Sequence, residues 1–289
     1  MLLNASGCLD ALAAPEVALG LDAFVTKTVT PEPRAGNLPV RIAETDHGML
    51  NSIGLQNPGI ESFLDSTLPR LAELGVPIWT SVGGSRPDEY ARLCAQLDRR
   101  HEVVAIELNL SCPNVASPDG DAAEIVAAAR AATDRPLYAK LSAATPDLGA
   151  VACAARDAGA DGLSLVNTVR GLALDERSLR PRLGPETGGY SGPALKPIAL
   201  AAVFTCYRET GLPIVGMGGI STGADALEFL AAGAAAVALG TALFADPDAP
   251  RRVRRELDDE LRRRGIASPA QATGLAHEAR PLRAPAVVG

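Results

Sequence analysis

The sequence holds no C-x-x-C pair, no apolar run long enough to cross a membrane and no excess of positive charge. Cysteines stand at positions 8, 94, 112, 153 and 206. An odd number without close pairs argues against a disulfide framework. It argues equally against a zinc or iron–sulfur centre held by this chain alone, so no metal is expected. A membrane span needs roughly 18 or more consecutive apolar residues, and none is found. Met1 to Asp10 lack a basic region ahead of a long apolar stretch, so no secretory signal is predicted and a cytoplasmic location is expected. Lys and Arg number 27 against 34 Asp and Glu, a formal charge of −7. Such a surface repels phosphate backbones, which makes nucleic acid a poor partner. No G-x-G-x-x-G follows the first apolar run, which counts against an open dinucleotide-binding sheet.

What is present is a chain of 289 residues, 47% hydrophobic, able to bury a large core without staples. Short apolar runs at 2–5, 23–29, 76–81, 103–110, 137–141, 162–166, 213–217 and 235–239 read as strands. Several are continuously apolar, as parallel strands covered on both faces are. Helical stretches at 60–74, 86–99, 121–133, 147–159, 193–210, 224–232 and 250–264 lie between and after them. This alternation predicts an α/β fold, a single-domain (β/α)8 TIM barrel spanning 1–289. The tail 267–289 is expected to pack under the barrel or stay partly disordered. Two connections, 30–59 and 167–192, are unusually long. Both follow strands, so both belong at the C-terminal mouth, where barrel enzymes keep their active sites.

Polar residues collect at the strand ends: Lys27, Asn109, Lys140, Asn167 with Thr168, Gly218 with Gly219, and Gly240 with Thr241. The last two pairs suit a phosphate, because glycine turns free backbone amides next to a helix start. Two tight turns would need the same glycines. The densest chemical motif is Asn109-Leu110-Ser111-Cys112-Pro113-Asn114. A thiol acts as base or nucleophile only as thiolate, which needs electropositive or hydrogen-bonding surroundings. His47, His101 and His277 read as surface residues, so a Cys–His hydrolase is not favoured and a general-base cysteine fits better than an inert one. Asn51, Asn109, Asn114 and Asn167 each offer a donor and an acceptor. Together they can complement a ring whose rim alternates N–H and C=O, such as a pyrimidine-dione.

In these motifs the chain resembles the class 1 dihydroorotate dehydrogenases. The resemblance runs over about Asn4 to Pro247 and is carried by Glu32-Pro33-Arg34-Ala35-Gly36-Asn37, by 51–59, by the Cys112 motif, by 165–168, by 188–193 and by the two glycine turns. Residues 41–45 with Gly54-Leu55-Gln56-Asn57 are more similar to the 1B branch than to the fumarate-using 1A branch. The resemblance implies bound FMN and oxidation of dihydroorotate to orotate in pyrimidine synthesis. Cys112 matches the base that takes a proton from C5, with hydride passing from C6 to flavin N5. Asn51, Asn109, Asn114, Asn167 and Thr168 match the substrate ligands, with Lys27, Gly54 and Leu55 nearby. Ala5, Ser6, Gly7, Lys27, Asn109, Lys140, Val166, Gly192, Gly218, Gly219, Gly240 and Thr241 match the flavin contacts, Lys140 facing the N1 and O2 side. The branch further implies a homodimer, and a second chain carrying FAD and a [2Fe–2S] cluster that completes a heterotetramer and passes electrons to NAD. Leu141-Ser142-Ala143-Ala144 and Cys8-Leu9-Asp10 depart from the usual family residues, and this sequence starts almost on the first strand, where family members usually carry a short hairpin before it. Two other readings are a dihydropyrimidine dehydrogenase-like flavoprotein acting on uracil or thymine and a non-catalytic phosphate-binding barrel. The asparagine after Pro113 favours the orotate family over the first, and the set of Lys27, Cys112 and Lys140 argues against the second.

Overall fold

A computed structural model describes residues 1–110 and 122–278. Its strands, in chain order, are β1 Leu2–Asn4, β2 Phe24–Val25, β3 Ile42–Thr45, β4 Gly48–Asn51, β5 Ile78–Val82 and β6 Val103–Asn109. They continue with β7 Leu137–Ser142, β8 Gly162–Asn167, β9 Val169–Leu172, β10 Thr187–Ser191, β11 Ile214–Met217 and β12 Ala236–Leu239. Eight of them form one parallel sheet in the order β1-β12-β11-β8-β7-β6-β5-β2. A parallel bridge between Leu3 and Ala23 joins the two ends. The buried side chain of Asn4 completes the seam. Its Nδ2 donates to the Val25 carbonyl at 2.8 Å and its Oδ1 accepts from the Val25 amide at 2.8 Å, in place of ladder bonds. The sheet is therefore a barrel, with helices outside.

Two cores result. Between strands and helices lie branched aliphatics such as Leu93, Ile106, Leu163 and Val203. Inside the barrel the single tryptophan, Trp79, packs on Tyr138 with ring centroids 4.4 Å apart. Small residues opposite, Ala23, Ala105, Ala236 and Ala238, leave room for this pair. Longer helices end as the sequence dictates. Lys196–Thr210 and Ala249–Arg264 stop at Gly211 and Gly265, both left-handed, where glycine carries no Cβ penalty. The segment Phe63–Thr67 is one π-turn, placed just before Pro69. Proline cannot donate to the ladder and its ring crowds the preceding turn, which the wider turn accommodates.

Three features differ from the sequence reading. The two long connections fold into a second sheet, antiparallel, in the order β3-β4-β10-β9. Its closest approach explains Gly48: a Cβ there would lie 2.8 Å from the Tyr190 hydroxyl and against the Ser191 carbonyl. The predicted strand 23–29 is interrupted. The Thr26 amide donates to Trp79 O and the Val29 amide to Ser81 O, so three residues of one strand span two of the other. The extra residue is a bulge, of the kind that re-aims side chains beside active sites. The tail, as far as 278, packs against the barrel's underside. His277, read as a surface residue, stacks on Phe204 with centroids 3.9 Å apart and bonds the Ala232 carbonyl at 2.9 Å.

Candidate active site

All barrel strands point their C-termini the same way, and there a cavity of about 320 Å³ opens. That is within the roughly 300–1,000 Å³ of small-molecule sites. Its wall takes Ala5, Ser6 and Gly7 after β1, Lys27 and Thr28 from the bulge, Asn109 from β6 and Lys140 from β7. It takes Val166, Asn167 and Thr168 from the end of β8, Gly218 and Gly219 after β11, and Gly240 and Thr241 after β12. The small sheet closes over it with Asn51, and Leu55 and Gly192 add to the rim.

One end of the cavity is built of backbone donors. Among the described residues, the amides of Gly218, Gly219, Gly240 and Thr241 donate to no protein acceptor. Gly219 sits at φ +84 against the Lys196 amide, where a Cβ would come within 2.8 Å. Glycine is thus needed for the turn that presents these amides. Donors left without a protein acceptor at a strand-to-helix turn make an anion cradle.

The other end is a ring of side-chain groups. The Lys27 side chain lies over Gly7, whose missing Cβ would fall 2.8 Å from Lys27 Nζ. Lys140 Nζ lies 3.4 Å from Glu107 Oε1, and both residues are buried. Glu107 also accepts from Ser81 Oγ at 3.0 Å. Ser81 Oγ meets Thr28 Oγ1 at 3.1 Å, and Thr28 Oγ1 accepts from Asn109 Nδ2 at 3.0 Å. Asn109 Oδ1 in turn accepts from Asn167 Nδ2 at 3.1 Å, and Asn167 Oδ1 from the Thr168 amide at 2.8 Å. Asn51 Nδ2 donates to Gly189 O at 3.3 Å across the small sheet. Cys8 also lines the cavity. Burial pushes its thiol up, against the pull of Lys140 and Lys27, so it sits there as a thiol.

The structure brings together most of the residues singled out from the sequence. Gly54 is an exception. At φ +74 it packs against Asn37, where any Cβ would collide, and it shapes the rim from behind rather than lining it. Cys112 and Asn114 lie outside the described residues. Sequence reasoning missed Thr28, Ser81, Glu107, Cys8 and Met217. A signal for Glu107 was available: a carboxylate inside the apolar run Val103–Asn109 must be paired if it is buried. A further cavity of about 460 Å³ adjoins the first and shares Gly7, Cys8, Lys27 and Phe244 with it.

A sequence profile of the family Dihydroorotate dehydrogenase matches residues 1–261. The chain belongs to the dihydroorotate dehydrogenase family. Among similar proteins is one from Desulforudis audaxviator (strain MP104C), 46% identical over 265 residues, covering 89% of this chain and 86% of the relative. Another, from Trichlorobacter lovleyi (strain ATCC BAA-1151 / DSM 17278 / SZ), is 46% identical over 261 residues, with 88% and 86% covered. Both are described as "Dihydroorotate dehydrogenase B (NAD(+)), catalytic subunit". Among solved structures, a dihydroorotate dehydrogenase from Eimeria tenella in complex with ferulenol superposes with a TM-score of 0.79 at 27% identity. It covers 96% of this chain and 85% of that one. The barrel is thus that of a dihydroorotate dehydrogenase fold.

Proposed function

We propose that this chain is the catalytic subunit of a two-component dihydroorotate dehydrogenase, oxidising dihydroorotate to orotate in pyrimidine synthesis with FMN bound at the barrel mouth. The observation that carries the reading is one cavity with an anion cradle at one end and two lysines and a set of carboxamides at the other. FMN fits this wall. Its phosphate would be held by the amides of Gly218, Gly219, Gly240 and Thr241, which have no acceptor among the described residues. Its ring would lie against Ala5, Val166 and Met217, with Asn109, Lys140 and Lys27 at its polar edge. Bound there, FMN supplies a two-electron acceptor for the hydride of C6.

The protein's own part is binding and proton movement. Asn51, Asn109, Asn114 and Asn167 are the proposed partners of the substrate's N–H and C=O rim, with Thr168 beside them. A rim met by matched donors and acceptors is held in one orientation, because a mismatched pose leaves buried polar groups unpaired. Lys140 would place positive charge beside the bound flavin ring, which favours its anionic reduced form. Cys112 is the proposed general base, its thiolate taking the C5 proton as hydride leaves C6. Loss of one proton and one hydride from adjacent carbons yields the ring double bond of orotate.

The partner reading rests on the relatives' description as catalytic subunits. Among the described residues no group of three or more His, Cys, Asp or Glu is placed to hold a metal. A second chain carrying FAD and a [2Fe–2S] cluster is the proposed route of electrons to NAD. A second copy of this chain is proposed to cover the small sheet. Six of the eleven large apolar side chains that stand exposed among the described residues, Leu38, Val40, Ile42, Leu172, Leu174 and Leu179, belong to its strands and loops. Such a concentration marks an interface.

The test is a pair of proteins, wild type and Cys112→Ala. Wild type is expected to be yellow and to convert dihydroorotate to orotate. The variant is expected to keep its FMN and lose at least a hundredfold in flavin reduction rate, in the range of a general base's contribution. Unchanged reduction by Cys112→Ala contradicts the base assignment. A colourless wild type contradicts the cofactor.

A further inference from the structure

A buried carboxylate beneath the site lines no cavity wall, yet a chain of side-chain hydrogen bonds runs from it to the two cavity-lining asparagines of β6 and β8. Glu107 is 1% exposed and ion-paired with Lys140. A paired carboxylate only accepts. Ser81 therefore spends its single hydroxyl proton on Glu107, at 3.0 Å. Its oxygen then accepts from Thr28 at 3.1 Å, nearer than the other acceptor open to that hydroxyl, Ser6 Oγ at 3.4 Å. Thr28 has given its proton away, so it must accept, and the only group of Asn109 that can donate is the NH2 at 3.0 Å. That fixes Asn109 with its carbonyl turned to Asn167 Nδ2, 3.1 Å away, and leaves Asn167 Oδ1 to receive the Thr168 amide at 2.8 Å. Each link has one direction, and the chain is pinned at both ends, by the Glu107 carboxylate, which only accepts, and by the Thr168 amide, which only donates.

From this ordering we infer that Glu107 is a positioning residue that, with the Thr168 amide at the far end, holds which edge of Asn109 and Asn167 is donor and which is acceptor, and so helps to select the hydrogen-bonding pattern of the ring the cavity accepts. The inference rests on the reading of the cavity as a site for a pyrimidine-dione. A carboxamide has nearly the same shape in either flip, so packing alone cannot choose between them. A one-way chain of hydroxyls anchored on a charge can. The same carboxylate faces Lys140, so it couples two properties of the site. Through Thr28 it orders the carboxamides, and through Lys140 it sets the charge beside the flavin.

Two branches mean that two variants separate the roles. Thr28→Val cuts the chain between Ser81 and Asn109 and leaves the Glu107–Lys140 pair intact. Glu107→Gln disturbs both, since a glutamine can donate as well as accept. The measurements are orotate binding to the FMN-loaded protein, read by perturbation of the flavin spectrum, and the FMN reduction potential. Thr28→Val is expected to weaken orotate binding about tenfold, the cost of one mispaired buried group, with the potential unchanged. Thr28→Ser keeps the hydroxyl and is expected to restore binding to within about twofold. Glu107→Gln is expected to weaken orotate as Thr28→Val does and also to raise the potential, because a negative charge beside the flavin is gone. Wild-type orotate affinity in Thr28→Val, or equal loss in Thr28→Ser, overturns the inference while leaving the functional reading standing. Wild-type protein that binds FMN but not orotate overturns both.

Discussion

Asparagine does two different jobs within a few ångströms of the same barrel end. Asn4 and Asn57 are buried and spend their amide groups inside the protein. Asn57 donates to Thr30 Oγ1 at 2.8 Å and to Leu55 O at 2.7 Å, and accepts from the Thr30 and Gly59 amides. Asn109 and Asn167 bond one another and still line the cavity. Residue type could not separate these roles, because which groups find protein partners depends on contacts far apart in sequence. Asn4→Ala is expected to destabilise the fold by about 2–4 kcal/mol, since both Val25 backbone groups lose buried partners. Urea unfolding checks this, and an unchanged midpoint contradicts the seam. Cysteine divides in the same way. Burial pushes the Cys94 and Cys206 thiols up to about 12, so both are inert core groups. Cys8 lies at the cavity instead, placed there by a short connection whose path composition alone does not encode.

At the scale of elements, the strands were legible because continuous apolar runs mark a sheet covered on both faces. The predicted run 103–110 and the observed Val103–Asn109 differ by one residue at the end. The small sheet was not legible. Its strands are four or five residues long and half exposed, and Thr187–Ser191 contains two adjacent glycines. Their pairing is decided by contact between two loops more than 100 positions apart, as in Gly189 opposite Asn51. The bulge at Lys27 and Thr28 was hidden for a related reason, since an extra residue in one strand shows only against its partner. The turn entering β6 carries a pH dependence. Arg100 bonds Glu102 at 2.8 Å and holds its carboxyl at about 2, below its usual 4.5. A depressed carboxylate stabilises the fold above its unfolded value and loses that contribution as pH falls through its folded value. Wild type is therefore expected to be more stable than Glu102→Gln at pH 7, with the difference shrinking below about pH 4.5 and gone near pH 2. Urea midpoints measured across that range check the sign, and a difference that grows on acidification contradicts it.

At the scale of the whole molecule, the described residues form a parallel barrel whose C-terminal mouth is roofed by an antiparallel sheet that carries exposed apolar side chains. No helix among the described residues is long and apolar enough to cross a membrane. A charge placed within the exposed patch, Leu172→Glu, is expected to halve the mass in sedimentation if a second copy covers the small sheet, with FMN retained. An unchanged mass contradicts that assembly. The central claim concerns the cavity itself, that dihydroorotate delivers two electrons to a flavin held at the barrel mouth. Anaerobic titration of the purified protein with dihydroorotate tests it most directly. Bleaching of the flavin absorbance, with one orotate formed per flavin reduced, is the expected result; a yellow protein whose spectrum dihydroorotate leaves unreduced contradicts it.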